Sequence, residues 1–129
     1  MFEVEIEVEI EGTGRLRGEL KRYLAPMTFS EIVRRLPISG VAAKWDYAVY
    51  VITELKRGAE KVVDKVREGD VIYCPPVGGI AFVFKAGRPM AQSVRIGSLL
   101  DEVEPLERVR EGARVIIRQG SPRSSSSSS

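Results

Sequence analysis

Hydrophobic and polar residues alternate strictly at the start of the chain. Residues 2–11 read FEVEIEVEIE, so every second side chain is apolar and a glutamate stands between each pair. A period of two is typical of a strand with one face in the core and the other in solvent. The pattern predicts a half-buried strand whose inner face carries Val4, Ile6, Val8 and Ile10.

A second alternating segment, residues 15–21, follows Gly12-Thr13-Gly14. A three-residue loop, residues 12–14, would join the two segments in a hairpin with charges and apolar residues matched, whereas a two-residue loop would set glutamates against leucines. The acidic face is therefore interpreted as a solvated surface paired with its neighbour strand, not as a metal or polycation site. The expected pairs are Glu11 with Arg15, Glu9 with Arg17, Glu5 with Lys21, Ile10 with Leu16, and Ile6 with Leu20.

Helical periodicity replaces the alternation after residue 27. Thr28 and Glu31 have the spacing of a capping box, and Met27 and Ile32 have that of a hydrophobic staple. The pattern predicts a short amphipathic helix that ends before Pro37. Its apolar face comprises Phe29, Ile32, Val33 and Leu36.

The rest of the chain is mainly short strand patterns. Residues 39–52 predict one or two strands carrying Trp45, Tyr47 and Tyr50, and the charged segment 53–68 predicts a loop with one turn of helix near Val62, Val63 and Val66. The tetrad Val-Arg-Glu-Gly occurs at 66–69 and 109–112 and is interpreted as one turn used twice. Six or seven strands without a βαβ rhythm predict a mostly antiparallel barrel or sandwich. Further strands are expected at 70–74, 80–85, 93–99 and 113–119, with a hairpin turn at 75–79 and a helical turn at 105–109.

Composition bounds the class of protein. The chain has 129 residues, of which 43% are hydrophobic and 29% charged, with a net charge of +2. Basic and acidic residues are interleaved, which disfavours nucleic-acid binding. The single cysteine favours a reducing compartment, and no apolar run is long enough for a membrane span, so a cytoplasmic location is expected. We expect one domain over residues 1–120 and a disordered serine-rich tail over residues 121–129.

Missing residue types exclude several chemistries. The chain has no histidine and no asparagine, and its only glutamines are Gln92 and Gln119. Few thermolabile amides and many charges indicate a thermophilic source. Without histidine there is no Ser-His-Asp or Cys-His pair and no histidine-ligated zinc. Gly12 and Gly14 begin a dinucleotide fingerprint, but Arg17 occupies the position of its third glycine. Because the zinc ligands and this fingerprint are both missing, we expect neither a metal nor a cofactor.

Several motifs together resemble a known family. They are Trp45-Asp46 with Tyr50, then Gly69-Asp70-Val71-x-Tyr73-x-Pro75-Pro76, the turn Gly87-Arg88-Pro89-Met90, and the run from Val94 to Leu99. Their spacing is similar to that of small prokaryotic proteins classed as cyclophilin-like, and the likeness covers nearly the whole chain except the serine tail. The resemblance implies a closed cyclophilin-like antiparallel β-barrel capped by one or two short α-helices.

The resemblance leaves three functions open. Cyclophilins proper isomerise X-Pro bonds with an arginine, a glutamine and an apolar pocket, with asparagine, tryptophan and histidine at its rim; this chain lacks the histidine and the asparagine. The leading hypothesis is a module that binds a peptide or small molecule non-covalently. The alternatives are a peptidyl-prolyl isomerase and a structural or assembly module that uses an exposed strand edge, with an oligomer left open.

One loop and three aromatic residues make up the candidate ligand site. A cation, an adaptable apolar side chain and an amide close together suit a peptide or an anionic ligand. A surface turn with a solvated arginine is the alternative interpretation, and Cys74 is expected to be a buried structural thiol because no histidine lowers its pKa. The hypothesised pocket has Trp45, Tyr47 and Tyr73 as walls, Arg88 and Gln92 at its mouth, and Met90 beside them.

Overall fold

The computed structural model describes residues 2–56, 58 and 60–120. It contains eight strands, one α-helix and two short 3₁₀ helices, Arg22–Leu24 and Glu104–Arg108. The longer elements are β1 (Glu3–Ile10), β2 (Gly14–Lys21), α1 (Pro26–Arg35), β3 (Ile38–Lys44), β4 (Ala48–Ile52), β5 (Asp70–Cys74), β6 (Gly79–Val83), β7 (Val94–Leu99) and β8 (Arg114–Gln119).

The strands form a closed barrel in the order β1-β2-β7-β5-β6-β4-β3-β8. Neighbouring strands are antiparallel, and β8 pairs with β1 to close the ring. The predicted closed antiparallel barrel with a helical cap is confirmed. Residues 39–52 contain two strands, β3 and β4; Tyr50 lies in β4 as predicted, but Trp45 and Tyr47 lie in the turn between the strands. The predicted helical turn near Pro105 is the second 3₁₀ helix.

The inward face of β1 is as predicted, but the register of its hairpin is wrong by two residues. Val4, Ile6, Val8 and Ile10 are each no more than 3% exposed. The loop comprises residues 11–13, where Gly12 takes a φ of 80°. Because a shift of two preserves which face each side chain occupies, the core is unaffected. The observed pairs include Glu9 with Arg15, Glu7 with Arg17, Val8 with Leu16, and Ile10 with Gly14.

Charges on the outer face of β1 are nevertheless matched by cations. Arg118 of β8 donates through Nη1 to Glu7 at 3.1 Å and to Glu9 at 2.8 Å. Arg15 lies 3.5 Å from Glu7. The interpretation of the acidic stripe as a solvated, paired surface is confirmed, with cations supplied by strands on both sides.

Helix α1 begins earlier than predicted. It starts at Pro26, a residue suited to the first helical turn, and the side chain of its N-cap residue Ala25 makes no capping bond. The predicted capping box at Thr28 is therefore wrong. The predicted apolar face is correct: Phe29 and Ile32 are buried in the barrel interior, and Val33 and Leu36 pack against it.

Hydrophobic residues form a second cluster outside the barrel. Every residue of β5 and β6 is buried, so these strands are covered on both faces. The segments 60–68 and 84–93 cover the outer face; a bridge from Val66 to Gly87 joins them, and a bridge from Val62 to Val94 joins the first segment to the start of β7. The predicted helical turn near Val62 is wrong, because this segment lies extended across the sheet. The outer cluster comprises Tyr47, Ala48, Tyr50, Val66, Ile72, Cys74, Ala81 and Val83.

The repeated tetrad forms the same turn twice, as predicted. The Asp70 N–H donates to the Arg67 carbonyl at 3.0 Å, and the Ala113 N–H donates to the Arg110 carbonyl at 3.0 Å. Gly69 and Gly112 take φ values of 93° and 85°. The serine-rich tail predicted at 121–129 lies outside the described residues. Within the part of the chain that the structure describes, no helix is long and apolar enough to cross a membrane.

Closure of the barrel predicts a strict requirement for glycine at position 97. A Cβ there would lie 2.0 Å from the Glu19 carbonyl oxygen, so β7 and β2 would have to separate. Gly97→Ala is expected to lower the free energy of unfolding by about 3 kcal/mol, the upper end of overpacking costs. Gly87→Ala is the matched control, since nothing lies within 4 Å of its added Cβ. Urea unfolding of both variants tests this, and equal midpoints would contradict it.

Candidate functional site

A cleft opens at the end of the barrel where β4 and β5 finish. Both strands are antiparallel to β6 and so point the same way, which brings the segments after them to the same end. The cleft has a volume of about 610 Å³. One wall comprises Ile52, Glu54, Leu55, Lys56 and Gly58, and the other comprises Pro75, Pro76, Val77 and Gly78.

Hydrogen bonds fix the two walls against each other. The Thr53 N–H and hydroxyl both donate to the Gly78 carbonyl, at 3.2 and 3.1 Å. From inside the barrel, the Tyr73 hydroxyl donates to the Leu55 carbonyl at 2.9 Å. These bonds hold the cleft in one shape without a ligand.

The backbone of the cleft is unusual at two positions. Glu54 has a φ of 61°, which is uncommon for a residue other than glycine. Gly78 has a φ of 64°, and a Cβ there would lie 3.1 Å from the Leu55 carbonyl oxygen. Strained backbone held by surrounding bonds is often found at ligand sites.

The cleft combines exposed apolar side chains with two opposite charges. Ile52 is 46% exposed and Val77 is 40% exposed, beside the rigid pair Pro75-Pro76. Glu54 and Lys56 are exposed, and within the described ranges neither forms an ion pair. The described lining residues include no serine, threonine, cysteine or histidine. Such a surface can bind by apolar burial and polar contacts at its rim.

Glu60 connects the chain beyond the cleft wall to helix α1. Its carboxylate accepts the Met27 N–H at 2.9 Å, and the Thr28 N–H and hydroxyl at 2.7 Å each. Free N–H groups at a helix N-terminus need an acceptor, and a carboxylate also suits the helix dipole. A residue distant in the sequence thus has the capping role predicted for the Thr28 side chain.

Trp45, Tyr47 and Met90 of the predicted pocket lie close together on the outside of the barrel. The Trp45 ring is 5.5 Å from that of Tyr47, and it stacks on Tyr50 at 4.7 Å with an interplanar angle of 14°. The Tyr47 hydroxyl accepts the Met90 N–H at 3.0 Å. Met90 itself is 73% exposed.

The other three predicted pocket residues are placed differently. Arg88 and Gln92 are exposed in the same connection as Met90. Tyr73 belongs to the interior cluster, because alternate residues of β5 face opposite sides of the sheet. The structure thus separates Tyr73 from Trp45 and Tyr47 and gives its hydroxyl a role at the cleft.

The cleft residues themselves were not predicted. Residues 75–78 were interpreted only as a turn, and 53–58 were part of a charged segment without a clear period. Val77, an exposed apolar residue between a proline pair and two glycines, was the available signal. The contact between the two loops depends on the strand order, which no local pattern contains.

Cys74 is a buried thiol, as predicted. Burial raises its pKa, while a hydrogen bond with Ser93, at 3.5 Å from sulfur to oxygen, acts in the opposite direction. A thiol in this state is a poor nucleophile. Among the described residues, no group of three histidine, cysteine, aspartate or glutamate side chains is placed to hold a metal ion.

Comparisons with known proteins agree with this architecture. The model of the cyclophilin-like family matches residues 4–118 of the chain. The chain is also similar to the solution structure of a hypothetical protein from Archaeoglobus fulgidus, with 27% sequence identity and a TM-score of 0.77. That similarity covers 92% of this chain and 96% of the other. No curated protein matches the chain.

Glu60→Gln tests the connection to α1. The substitution removes the charge and one acceptor oxygen, so the free energy of unfolding should fall by about 1–2 kcal/mol. The Met27 and Thr28 amide resonances should also move in the ¹H–¹⁵N spectrum. Glu68→Gln, an exposed carboxylate in a turn, is the control and should change neither. Unchanged Met27 and Thr28 resonances in Glu60→Gln would contradict the assignment.

The buried thiol predicts a loss of stability in alkali. An unfolded cysteine ionises near a pKa of about 8.5, whereas the folded pKa of Cys74 is raised. The contribution of the neutral thiol to the free energy of unfolding is therefore complete below about pH 8.5. It is lost as the pH rises towards the pKa of Cys74 in the folded protein. Urea unfolding at several pH values in this interval should show that the free energy of unfolding falls less steeply with pH in Cys74→Ala than in the wild type. Equal slopes for both proteins would contradict the prediction.

Proposed function

The chain belongs to the cyclophilin-like family, and on this premise we propose that it is a barrel that binds a peptide or a small molecule without covalent chemistry. The observation that carries the proposal is the cleft lined by residues 52, 54–56 and 58 on one side and by residues 75–78 on the other. Its volume of about 610 Å³ lies within the range of ligand pockets. The Thr53 and Tyr73 hydrogen bonds fix the positions of its walls, which reduces the ordering cost of binding.

The lining supports binding rather than nucleophilic catalysis. Ile52 and Val77 offer apolar surface that a ligand would remove from water. Cys74, next to Pro75, is buried and its pKa is raised, so it does not supply an attacking thiolate. Glu54 and Lys56 are charged residues that line the cleft. Their opposite charges, next to apolar surface, suit a ligand with both polar and apolar parts, such as a peptide.

The surface formed by Trp45, Tyr47 and Met90 is a second possible contact area. Met90 is mostly exposed beside Tyr47, and Arg88 and Gln92 belong to the same connection. This surface keeps the residues first predicted for the ligand site, apart from Tyr73. We assign this surface a secondary role, because its aromatic rings pack mainly against other aromatic rings.

An NMR titration with a small library of X-Pro peptides tests the proposal. We expect amide shifts at Ile52, Val77 and Gly78, without shifts at Gly69, which precedes β5 at the end of that strand away from the cleft. Val77→Asp should weaken binding about tenfold, because it places a charge on the apolar wall. Leu100→Asp is the matched control, an apolar residue 45% exposed beyond the end of β7, and should leave affinity unchanged.

The same spectra distinguish the alternatives. Cis–trans exchange peaks that require the protein and vanish in Val77→Asp would identify an isomerase. Shifts confined to residues 88–92 would move the site to the Met90 surface. A size that depends on protein concentration, without any response to peptide, would favour the assembly module and contradict the proposal.

A further inference from the structure

The hydroxyl of Tyr50 has no hydrogen-bond partner although it is buried. Tyr50 is 3% exposed, and its Oη is the single buried side-chain oxygen or nitrogen without a partner in the part of the chain that the structure describes. Buried hydroxyls in native proteins are nearly always bonded, and an unbonded one destabilises the fold. A buried donor without a protein partner calls for an explanation, and a ligand that accepts its hydrogen bond is one.

Gly79 places the Tyr50 ring next to residues that line the cleft. A Cβ on Gly79 would lie 2.5 Å from Cε1 and 2.6 Å from Cζ of Tyr50, so the ring occupies the space that a side chain would fill. Gly79 pairs with Cys74, and the next residues outward, Gly78 and Pro75, line the cleft. Ile52, which also lines it, follows Tyr50 on the same face of β4.

The surroundings determine what kind of partner the hydroxyl can take. Trp45 stacks on the ring and prevents it from turning towards water. Burial raises the pKa of Tyr50 to about 12, with Cys74 and Tyr73 adding to the effect, so the group is a neutral donor at physiological pH. A negatively charged acceptor would have to be desolvated among apolar side chains, at a high cost. A neutral carbonyl oxygen avoids that cost.

We propose that the Tyr50 hydroxyl is the polar recognition group of the cleft and donates a hydrogen bond to the carbonyl oxygen of a neutral amide ligand. The inference rests on the proposed function and names the ligand chemistry of the same site. Since the oxygen is closed to solvent in the free protein, binding includes a side-chain movement.

Tyr50→Phe tests the inference, with N-acetyl-L-prolinamide as the probe. The variant keeps the ring and its stacking, so the free protein should be at least as stable to urea as the wild type. Its affinity for the probe should fall about fivefold, the effect of one lost hydrogen bond. Tyr23→Phe is the matched control: this tyrosine is 64% exposed, and its replacement should change neither quantity.

The outcomes separate this inference from the proposed function. A lower urea midpoint for Tyr50→Phe would mean that the hydroxyl is already bonded in the free protein, by an ordered water, and would overturn the inference. Equal probe affinities of wild type and variant would overturn it as well. A wild-type protein that does not respond to the probe or to the X-Pro peptides would defeat the proposed function itself.

Discussion

Closure of the barrel is the constraint on which the rest of the structure depends. A ring of eight antiparallel strands leaves no free edge, but β2 and β7 must approach so closely that Gly97 faces the Glu19 carbonyl without room for a side chain. The register of β5 against β7 shifts between Val71 and Ile72, and such irregularities help a sheet to curve. β4 and β5 pair with opposite sides of β6, so both strands finish at the same end of the barrel and the segments that follow them form the cleft.

Covering the outside of the barrel is the second constraint. The hydrophobic outer face of β5 and β6 is buried under two long connections, which bridge each other at Val66 and Gly87. The first connection begins as one wall of the cleft, and its Glu60 side chain then caps α1. The segment with the least regular sequence therefore joins the helical cap, the outer cluster and the candidate site.

The candidate site is defined by the same contacts that stabilise the fold. Thr53 and Tyr73 fix the cleft walls, and Gly79 makes room for the Tyr50 ring behind them. Among the described residues, the Tyr50 hydroxyl is the one buried side-chain oxygen or nitrogen that has no hydrogen-bond partner. The proposed hydrogen bond to a ligand rests on that exception.

The sequence alone determined what depends on local periodicity: the inward face of β1, the apolar face of α1 and the repeated turn before Asp70 and Ala113. Side-chain direction follows from backbone period, so these features needed no knowledge of distant neighbours. Periodicity left a barrel or a sandwich open, and the family resemblance indicated the closed barrel. Only the tertiary structure decided the register of the first hairpin, the capping of α1 by Glu60 and the position of the cleft. It also decided that Tyr73 and Trp45 lie on opposite sides of the barrel wall. Each of these depends on which segments the closed barrel brings together. A contact between residues distant in the sequence produces no pattern in either segment alone, so it cannot be predicted from local periodicity.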